Sequence, residues 1–158
     1  MSAFAHSHYS PVVADDRLTE DELRTWRAFL NAHAGVVARI ERDLAEAKLP
    51  SLHWYDVLWA LYRAPGRRLR MGELAEYVVL SRTGMTRLVD RIEAAGYLRR
   101  EAVPEDRRGA HAVLTPSGIR LLRRMWPVYE RSVARDFVPH LRGDRDRVRA
   151  ALERVAAG

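Results

Sequence analysis

Residues 81–96, with the sequence SRTGMTRLVDRIEAAG, constrain the fold of this chain more than any other stretch. Their apolar side chains recur at the spacing of one helix face, at Met85, Leu88, Val89, Ile92 and Ala95. The other face carries Arg82, Thr83, Thr86, Arg87, Asp90 and Arg91. Ser81 can accept a hydrogen bond from a free amide of the first turn, and Gly96 can end the helix in a left-handed conformation. The sequence therefore predicts a short helix with both ends capped and one side buried.

The polar face of this helix has the chemistry of a surface that reads DNA. Arginine can form two hydrogen bonds to guanine, threonine methyl groups can touch thymine, and cationic side chains meet phosphate. The net charge is +6, and because Lys48 is the only lysine, nearly all of the positive charge is on arginine. Arginine suits phosphate and base edges better than lysine does, so the composition favours a polyanionic partner. Taken alone, however, the helix fits the solvated face of an ordinary amphipathic helix better.

The segments on both sides of this helix complete a winged helix-turn-helix pattern. Residues 73–79 predict a compact helix before it. After it, residues 97–103 and 110–115 look extended, and the polar residues 104–109 between them predict a hairpin with a basic tip. In such an arrangement one helix enters the major groove and the wing reaches a neighbouring minor groove. The predicted fold class is mainly α (α+β), a winged helix-turn-helix with a short β-hairpin wing and long N- and C-terminal helices.

Two helices precede this predicted DNA-binding part. Thr19 and Glu22 form a capping box at the start of the first, whose apolar pattern continues as far as Lys48. At about twice the usual length, this helix is unusually long. Ser51 can cap the second helix, which covers residues 52–64 and is rich in aromatic side chains.

Two further helices follow the hairpin. Thr115 or Ser117 can cap a long helix that runs to about Val138, and Pro127 inside it predicts a kink. A last helix follows Gly143.

Composition excludes several functions. The chain has no cysteine, so it has no disulfide, no thiolate metal site and no cysteine-based redox switch. Its six histidines lack a ligand-like spacing, so we expect no metal site and no cofactor. Motifs of catalysis and phosphate binding are missing, which predicts a protein that is not an enzyme. No run approaches the ~20 apolar residues of a membrane span, and the N-terminus does not look like a signal peptide, so we expect a cytoplasmic protein.

Three segments together resemble the MarR family of bacterial transcriptional regulators. They are LVDRIEAAGYLRR at residues 88–100, PEDRRG at 104–109 and LTPSG at 114–118, and the resemblance extends over almost the whole chain from Leu18 on. It implies a homodimer whose terminal helices interleave, with one winged domain on each half of a pseudo-palindromic operator in double-stranded DNA. Repression is the regulatory mode that the resemblance favours.

The resemblance also implies a division of the chain. It makes 18–66 a dimerisation helix and a scaffold helix, 67–115 the winged helix-turn-helix DNA-binding domain, and 116–158 the C-terminal dimerisation helices. Residues 1–17 lie before the resemblance; they are short of periodic apolar side chains and hold Pro11, so we expect a flexible N-terminal arm.

By the same resemblance, two groups of residues are expected to contact DNA. The recognition helix contributes Ser81, Arg82, Thr83, Thr86 and Arg87. The wing contributes Asp106, whose carboxylate helps set the loop, Arg107 as a phosphate contact, and Arg108, which enters the minor groove. Two departures affect the neighbouring turn and helix: Val79 stands where the family often has glycine, and the helix over 73–79 lacks a Ser or Thr cap.

Large aromatic residues outside the winged domain predict a ligand pocket. In the family, the junction between the dimer scaffold and the DNA-binding part commonly holds a small aromatic or phenolic effector. Aromatics with a few polar groups suit a planar anionic ligand. The candidate pocket residues are Trp26, His33, His53, Trp54, Trp59, Trp126 and Tyr129. An equal alternative is that these aromatics fill the dimer core and that there is no dedicated ligand.

Two other functions remain open at this point. One is a helical dimeric interaction protein with an acidic protein partner, which leaves the basic tip of the hairpin unexplained. The other is an architectural DNA binder without sequence preference, against which Arg82, Thr83 and Thr86 argue mildly.

Overall fold

A computed structural model describes residues 18–78, 82–103 and 106–158, and for residues 82, 83 and 106–108 it describes the backbone alone. The elements are α1 (Glu20–Glu46), α2 (Leu52–Arg63), β1 (Arg68–Arg70), α3 (Met71–Tyr77), α4 (Arg82–Ala94), β2 (Leu98–Val103), β3 (Asp106–Leu114), α5 (Pro116–Asp136) and α6 (Arg145–Ala157). Short 3-10 turns cover Pro65–Arg67 and Val138–Leu141. The predicted class, mainly helical with a small β-sheet, is confirmed. None of the helices within these ranges has the length and apolar character needed to span a bilayer.

The chain divides into two compact units, residues 1–34 and residues 35–158. The first contains the beginning of α1, and its predicted capping box is confirmed. The Glu22 amide donates to Thr19 Oγ1 at 3.2 Å, and the Thr19 amide donates to Glu22 Oε2 at 2.6 Å. Aromatic rings follow along the helix, with Trp26 stacked on Phe29 at 5.8 Å and Phe29 on His33 at 6.4 Å.

Helix α2 is the centre of the second unit, where it packs against α3, α4, α5 and β3. Its buried residues are Leu52, Tyr55, Val57, Leu58, Ala60 and Leu61. Ser51 occupies the N-cap position, but its side chain makes no capping bond. Instead, Glu41 Oε1 of α1 accepts from the Leu52 amide at 3.0 Å. A full negative charge suits the positive end of the helix dipole, and only the tertiary fold brings it there.

The three strands form one antiparallel sheet in the order β1-β3-β2. Strand β3 begins at Asp106, four residues earlier than predicted, so positions 106–109 belong to the strand and not to the turn. The register explains the difference. Ala102 of β2 pairs with Ala110 of β3, but the next residue, Val103, pairs with Asp106. The pairing between the two strands therefore shifts at this point, and the alternation of apolar and polar residues in the sequence does not reveal such a shift.

Helix α3 also begins earlier than predicted, at Met71 instead of Glu73. Its start is fixed by Glu73, whose Oε2 accepts from the Arg70 amide at 2.8 Å. The Glu73 carboxylate thus binds a backbone amide at the start of α3, where a Ser or Thr cap is missing. The turn at Val79 lies outside the described residues.

A polar network joins the second half of α1 to α5. Ser132 is buried, and its hydroxyl lies 2.5 Å from Asp43 Oδ2 and 2.9 Å from the Val128 carbonyl oxygen. Arg135 Nη2 also donates to Asp43 Oδ2, at 2.7 Å. The Ser132 hydroxyl and then Arg135 lower the pKa of Asp43.

We expect Ser132→Ala to lower the free energy of unfolding by about 1–2 kcal/mol, because the Asp43 carboxylate loses its buried donor. Urea unfolding measures this, with Ser117→Ala on the exposed start of α5 as the near-neutral control. The pKa of Asp43 is lower in the folded state than in the unfolded chain. The contribution of Asp43 to the free energy of unfolding is therefore complete above the unfolded pKa of about 3.9 and is lost as pH falls through the folded pKa. The difference between wild type and Ser132→Ala should therefore narrow in strong acid. A constant difference would contradict this assignment.

Candidate nucleic-acid interface

Helix α4 has the two faces predicted from the sequence. Met85, Leu88, Val89 and Ile92 are each at most 2% exposed and anchor the helix in the core. Ala95, which was predicted to extend this stripe, lies beyond the end of the helix and is exposed. The opposite face is open, and Thr86, Arg87, Asp90 and Arg91 are exposed on it.

The C-terminal end of α4 forms the predicted glycine stop. Gly96 has φ +77°, the Gly96 amide donates to the Glu93 carbonyl oxygen at 2.8 Å, and the Tyr97 amide donates to the Ile92 carbonyl oxygen at 3.1 Å. These two bonds define a Schellman motif, which satisfies carbonyls that the helix end would leave free. The chain then turns directly into β2, so the position of the helix end also fixes the start of the wing.

Arg100 of β2 binds back to α4 through three contacts. Its Nη2 lies 2.6 Å from Asp90 Oδ1, its Nη1 lies 2.5 Å from Glu93 Oε2, and its amide donates to Glu93 Oε1 at 2.6 Å. Burial lowers the pKa of the guanidinium, but the two carboxylates outweigh it and raise the pKa overall. The Arg100 side chain is only 27% exposed, and its contacts tie β2 to α4.

The junction between β3 and α5 holds the same helix end from the other side. Thr115, not Ser117, is the cap: its Oγ1 accepts from the Gly118 amide at 3.1 Å and donates to the Gly96 carbonyl oxygen at 2.8 Å. The Thr115 amide donates to the Tyr97 carbonyl oxygen at 3.2 Å. The start of α5 is therefore hydrogen-bonded to the end of α4.

The predicted DNA-contacting residues fall on α4 and β3. Thr86 and Arg87 are exposed on the open face of α4. Arg82 and Thr83 begin that helix, and Asp106, Arg107 and Arg108 begin β3. Ser81 lies outside the described residues.

The predicted pocket residues do not form one group. Trp59 and Trp126 stack at 5.5 Å, and Tyr129 lies 6.0 Å from Trp126, all on α2 and α5. Trp54 instead makes an edge contact with Tyr97 at 5.9 Å, and His53 is exposed. Trp26 and His33 belong to the first unit.

Two tyrosines outside the predicted set belong to the cluster on α2 and α5. Tyr55 stacks on Tyr129 at 4.4 Å, and Tyr62 stacks on Trp59 at 6.0 Å. Both are among the large aromatics of the scaffold helices, and their spacing of four and three residues from Trp59 along α2 places them on the same helix face as Trp59. We refer to Tyr55, Trp59, Tyr62, Trp126 and Tyr129 as the aromatic cluster. Among the described residues, no three His, Asp or Glu side chains are grouped so that they could hold a metal ion.

Helix α4 is buried on its apolar side and exposed on its polar side, and the hairpin of β2 and β3 follows it. This arrangement defines a winged helix-turn-helix protein. A family model described as the MarR family matches residues 49–109. AbsC, a MarR family transcriptional regulator from Streptomyces coelicolor, is 32% identical with a TM-score of 0.81, covering 90% of this chain and 97% of that one. Sco3205, a MarR family transcriptional regulator from the same organism solved in complex with DNA, is 31% identical with a TM-score of 0.81 and 90% coverage of both chains.

A third relative is the HTH-type transcriptional regulator YkoM of Bacillus subtilis, 28% identical over 118 residues, or 75% of each chain. The chain belongs to the MarR family of transcriptional regulators, which is a family of DNA-binding proteins and not of enzymes.

Proposed function

We propose that this regulator is a homodimeric repressor that binds a pseudo-palindromic operator in double-stranded DNA and responds to a small aromatic ligand. The observation that carries the proposal is the open face of α4, where Thr86 and Arg87 stand exposed above a fully buried stripe. The similarity to Sco3205, solved in complex with DNA, supports it.

In this proposal, each DNA-contacting residue has a distinct role. The recognition helix reads the major groove with Ser81, Arg82, Thr83, Thr86 and Arg87. In the wing, Asp106 sets the local conformation, Arg107 meets phosphate and Arg108 enters the minor groove. Phosphate contacts fix the position of the protein on DNA, whereas contacts to base edges provide specificity.

Large apolar side chains near both chain ends support the proposed homodimer. In the first unit Leu18 is 61% exposed and Trp26 is 52% exposed. On α6, Val155 is 76% exposed and Leu152 is 40% exposed. Burial of such surface against a second copy supplies the main favourable term in association. We therefore assign residues 18–66 and 116–158 to the dimer scaffold and residues 67–115 to DNA binding.

The aromatic cluster supports the proposed ligand response. Trp59, Tyr62 and Trp126 are each more than a third exposed although they stack on one another. Ligand sites combine such aromatic surface with a few polar groups.

Selection of double-stranded DNA by the purified protein tests the proposed operator. We expect a pseudo-palindrome with half-sites about one helical turn apart, bound far more tightly than a scrambled sequence at the same salt concentration. Binding that enriches no motif and depends steeply on salt for every sequence would contradict a sequence-specific regulator.

Replacing Arg87 by alanine should weaken binding to the selected operator by about tenfold and relax the preference at one base position per half-site. Arg108→Ala should weaken binding to all sequences more evenly and reduce the salt dependence. Arg124→Ala, on the exposed side of α5, removes the same charge and is the matched control. Equal losses from Arg87→Ala and Arg108→Ala with unchanged base preference would show that the proposed roles are wrong.

A further inference from the structure

The three-stranded sheet has one face turned toward α4 and one turned away from it. Ala112 of β3 is fully buried and pairs with Leu69 of β1 and Arg100 of β2. The Arg100 guanidinium in turn binds Asp90 and Glu93 of α4. Because successive side chains of a strand point to opposite faces of the sheet, the neighbours of these three residues along their strands face away from α4.

The face turned away from α4 is basic. It consists of two rows of residues in register, which we call the outer sheet face: Arg68, Val113 and Arg99 in one row, and Arg70, His111 and Glu101 in the other. The three arginines are exposed. On this face three guanidinium groups therefore stand beside a single carboxylate.

One pair of opposite charges on the outer sheet face cancels. Arg99 Nε donates to Glu101 Oε1 at 3.1 Å. This hydrogen bond lowers the pKa of Glu101, burial opposes the change, and the charges of Arg99, Arg68 and His111 add to the lowering. Among the described residues, no carboxylate forms an ion pair with Arg68. The net positive charge of this face is thus on β1, at Arg68 and Arg70.

The outer sheet face continues from the wing. Arg70 pairs with His111, which follows Arg108 on β3 by three residues, or ~10 Å of strand. Arg68 lies two residues before Arg70 on the same face, ~7 Å further along β1. Because α4 lies against the opposite face of the sheet, this basic surface is turned past the wing and away from the recognition helix.

DNA on either side of an operator offers a row of phosphates whatever its sequence, and arginine is well suited to phosphate. An acidic protein segment would also match the charge of this face. Only DNA, however, is brought next to it whenever the wing occupies its groove. We therefore propose that the outer sheet face binds the phosphate backbone of the DNA that flanks the operator, through Arg70 and Arg68. This inference rests on the proposed operator binding and extends it to DNA outside the operator.

Two duplexes that share one operator test this inference. The short duplex ends at the outer edge of the groove protected by the wing, and the long duplex has about one further helical turn on each side. We expect the wild-type protein to bind the long duplex at least about tenfold more tightly at the same salt concentration. The double variant Arg68→Ala, Arg70→Ala should lose this gain and keep its affinity for the short duplex. On the long duplex it should lower the slope of log K against log salt by about two for each subunit.

Two further variants separate the position of a charge from its presence. Glu101→Gln should enlarge the gain from the flanks, because the charge of Arg99 is then no longer cancelled. The double variant Arg142→Ala, Arg145→Ala removes two exposed arginines outside residues 67–115 and should keep the gain of the wild type.

An unchanged gain in Arg68→Ala, Arg70→Ala would overturn the inference and leave this face to an acidic protein segment. An equal loss of affinity for both duplexes would overturn it as well, because the two arginines would then act within the operator or on the fold. A scrambled sequence of each length separates the inference from the proposed function. Preference for the operator without a gain from the flanks would leave the proposed function standing and overturn the inference. No preference at either length would overturn both.

Discussion

Replacing Gly118 by alanine should destabilise the protein by about 3 kcal/mol, near the upper end of the usual cost of overpacking. A Cβ at this position would lie 2.1 Å from the Tyr97 carbonyl oxygen and 2.7 Å from Leu114 Cδ1. The carbonyl cannot easily turn away, because it accepts from the Thr115 amide and its residue is bound to Ile92 in the Schellman motif. The clash therefore has to separate the start of α5 from the end of α4.

Gly72→Ala is the matched control for this substitution. Gly72 also lies in the first turn of a helix, but nothing lies within 4 Å of a Cβ built there. Because alanine favours the helix, this variant should be stabilised by about 0.5–1 kcal/mol. Urea unfolding followed by circular dichroism measures both variants. Equal stability of the two would mean that the junction yields to a methyl group and does not hold the recognition helix in place.

The junction between β3 and α5 shows which contacts the sequence could predict and which it could not. The motif LTPSG and the choice between Thr115 and Ser117 as cap were visible, because capping depends on residues a few positions apart. The contact of Gly118 with Tyr97 joins residues 21 positions apart and was not visible. The same holds for Glu41, which caps α2 from another helix, and for the early start of β3, which depends on the register of its partner strand.

The recognition helix was predicted best because its signals are local. Its buried stripe and its glycine stop agree with the structure, apart from Ala95. For the aromatic residues, by contrast, helical spacing shows which side chains share a face but not which helix lies opposite. Of the seven predicted pocket residues, the structure brings Trp59, Trp126 and Tyr129 together, and Tyr55 joins them.

Replacing Arg100 by alanine should weaken operator binding by about tenfold, equivalent to ~1.4 kcal/mol, through the position of the wing. This variant keeps the bond from the backbone amide of residue 100 to Glu93 but loses both guanidinium contacts. The angle of β2 to α4 can then change, and the wing no longer meets the groove next to the one occupied by the helix. Arg99→Ala is the control, because Arg99 is the next residue on the same strand, is 58% exposed and pairs with Glu101 on that strand. It removes the same charge and leaves the contacts of Arg100 intact.

The combined change Asp90→Ala and Glu93→Ala separates position from charge, since it removes both acceptors of Arg100 while making the protein more positive by two charges. If Arg100 acts only as a positive charge near DNA, this variant should bind more tightly, because each added positive charge favours the polyanion. If Arg100 sets the angle of the wing, the variant should bind more weakly, as Arg100→Ala does. Hydroxyl-radical footprinting should then show protection retained where α4 lies and lost at the outer minor-groove positions. Uniform loss of protection over the whole site would mean that α4 itself has been displaced and would contradict a role confined to the wing.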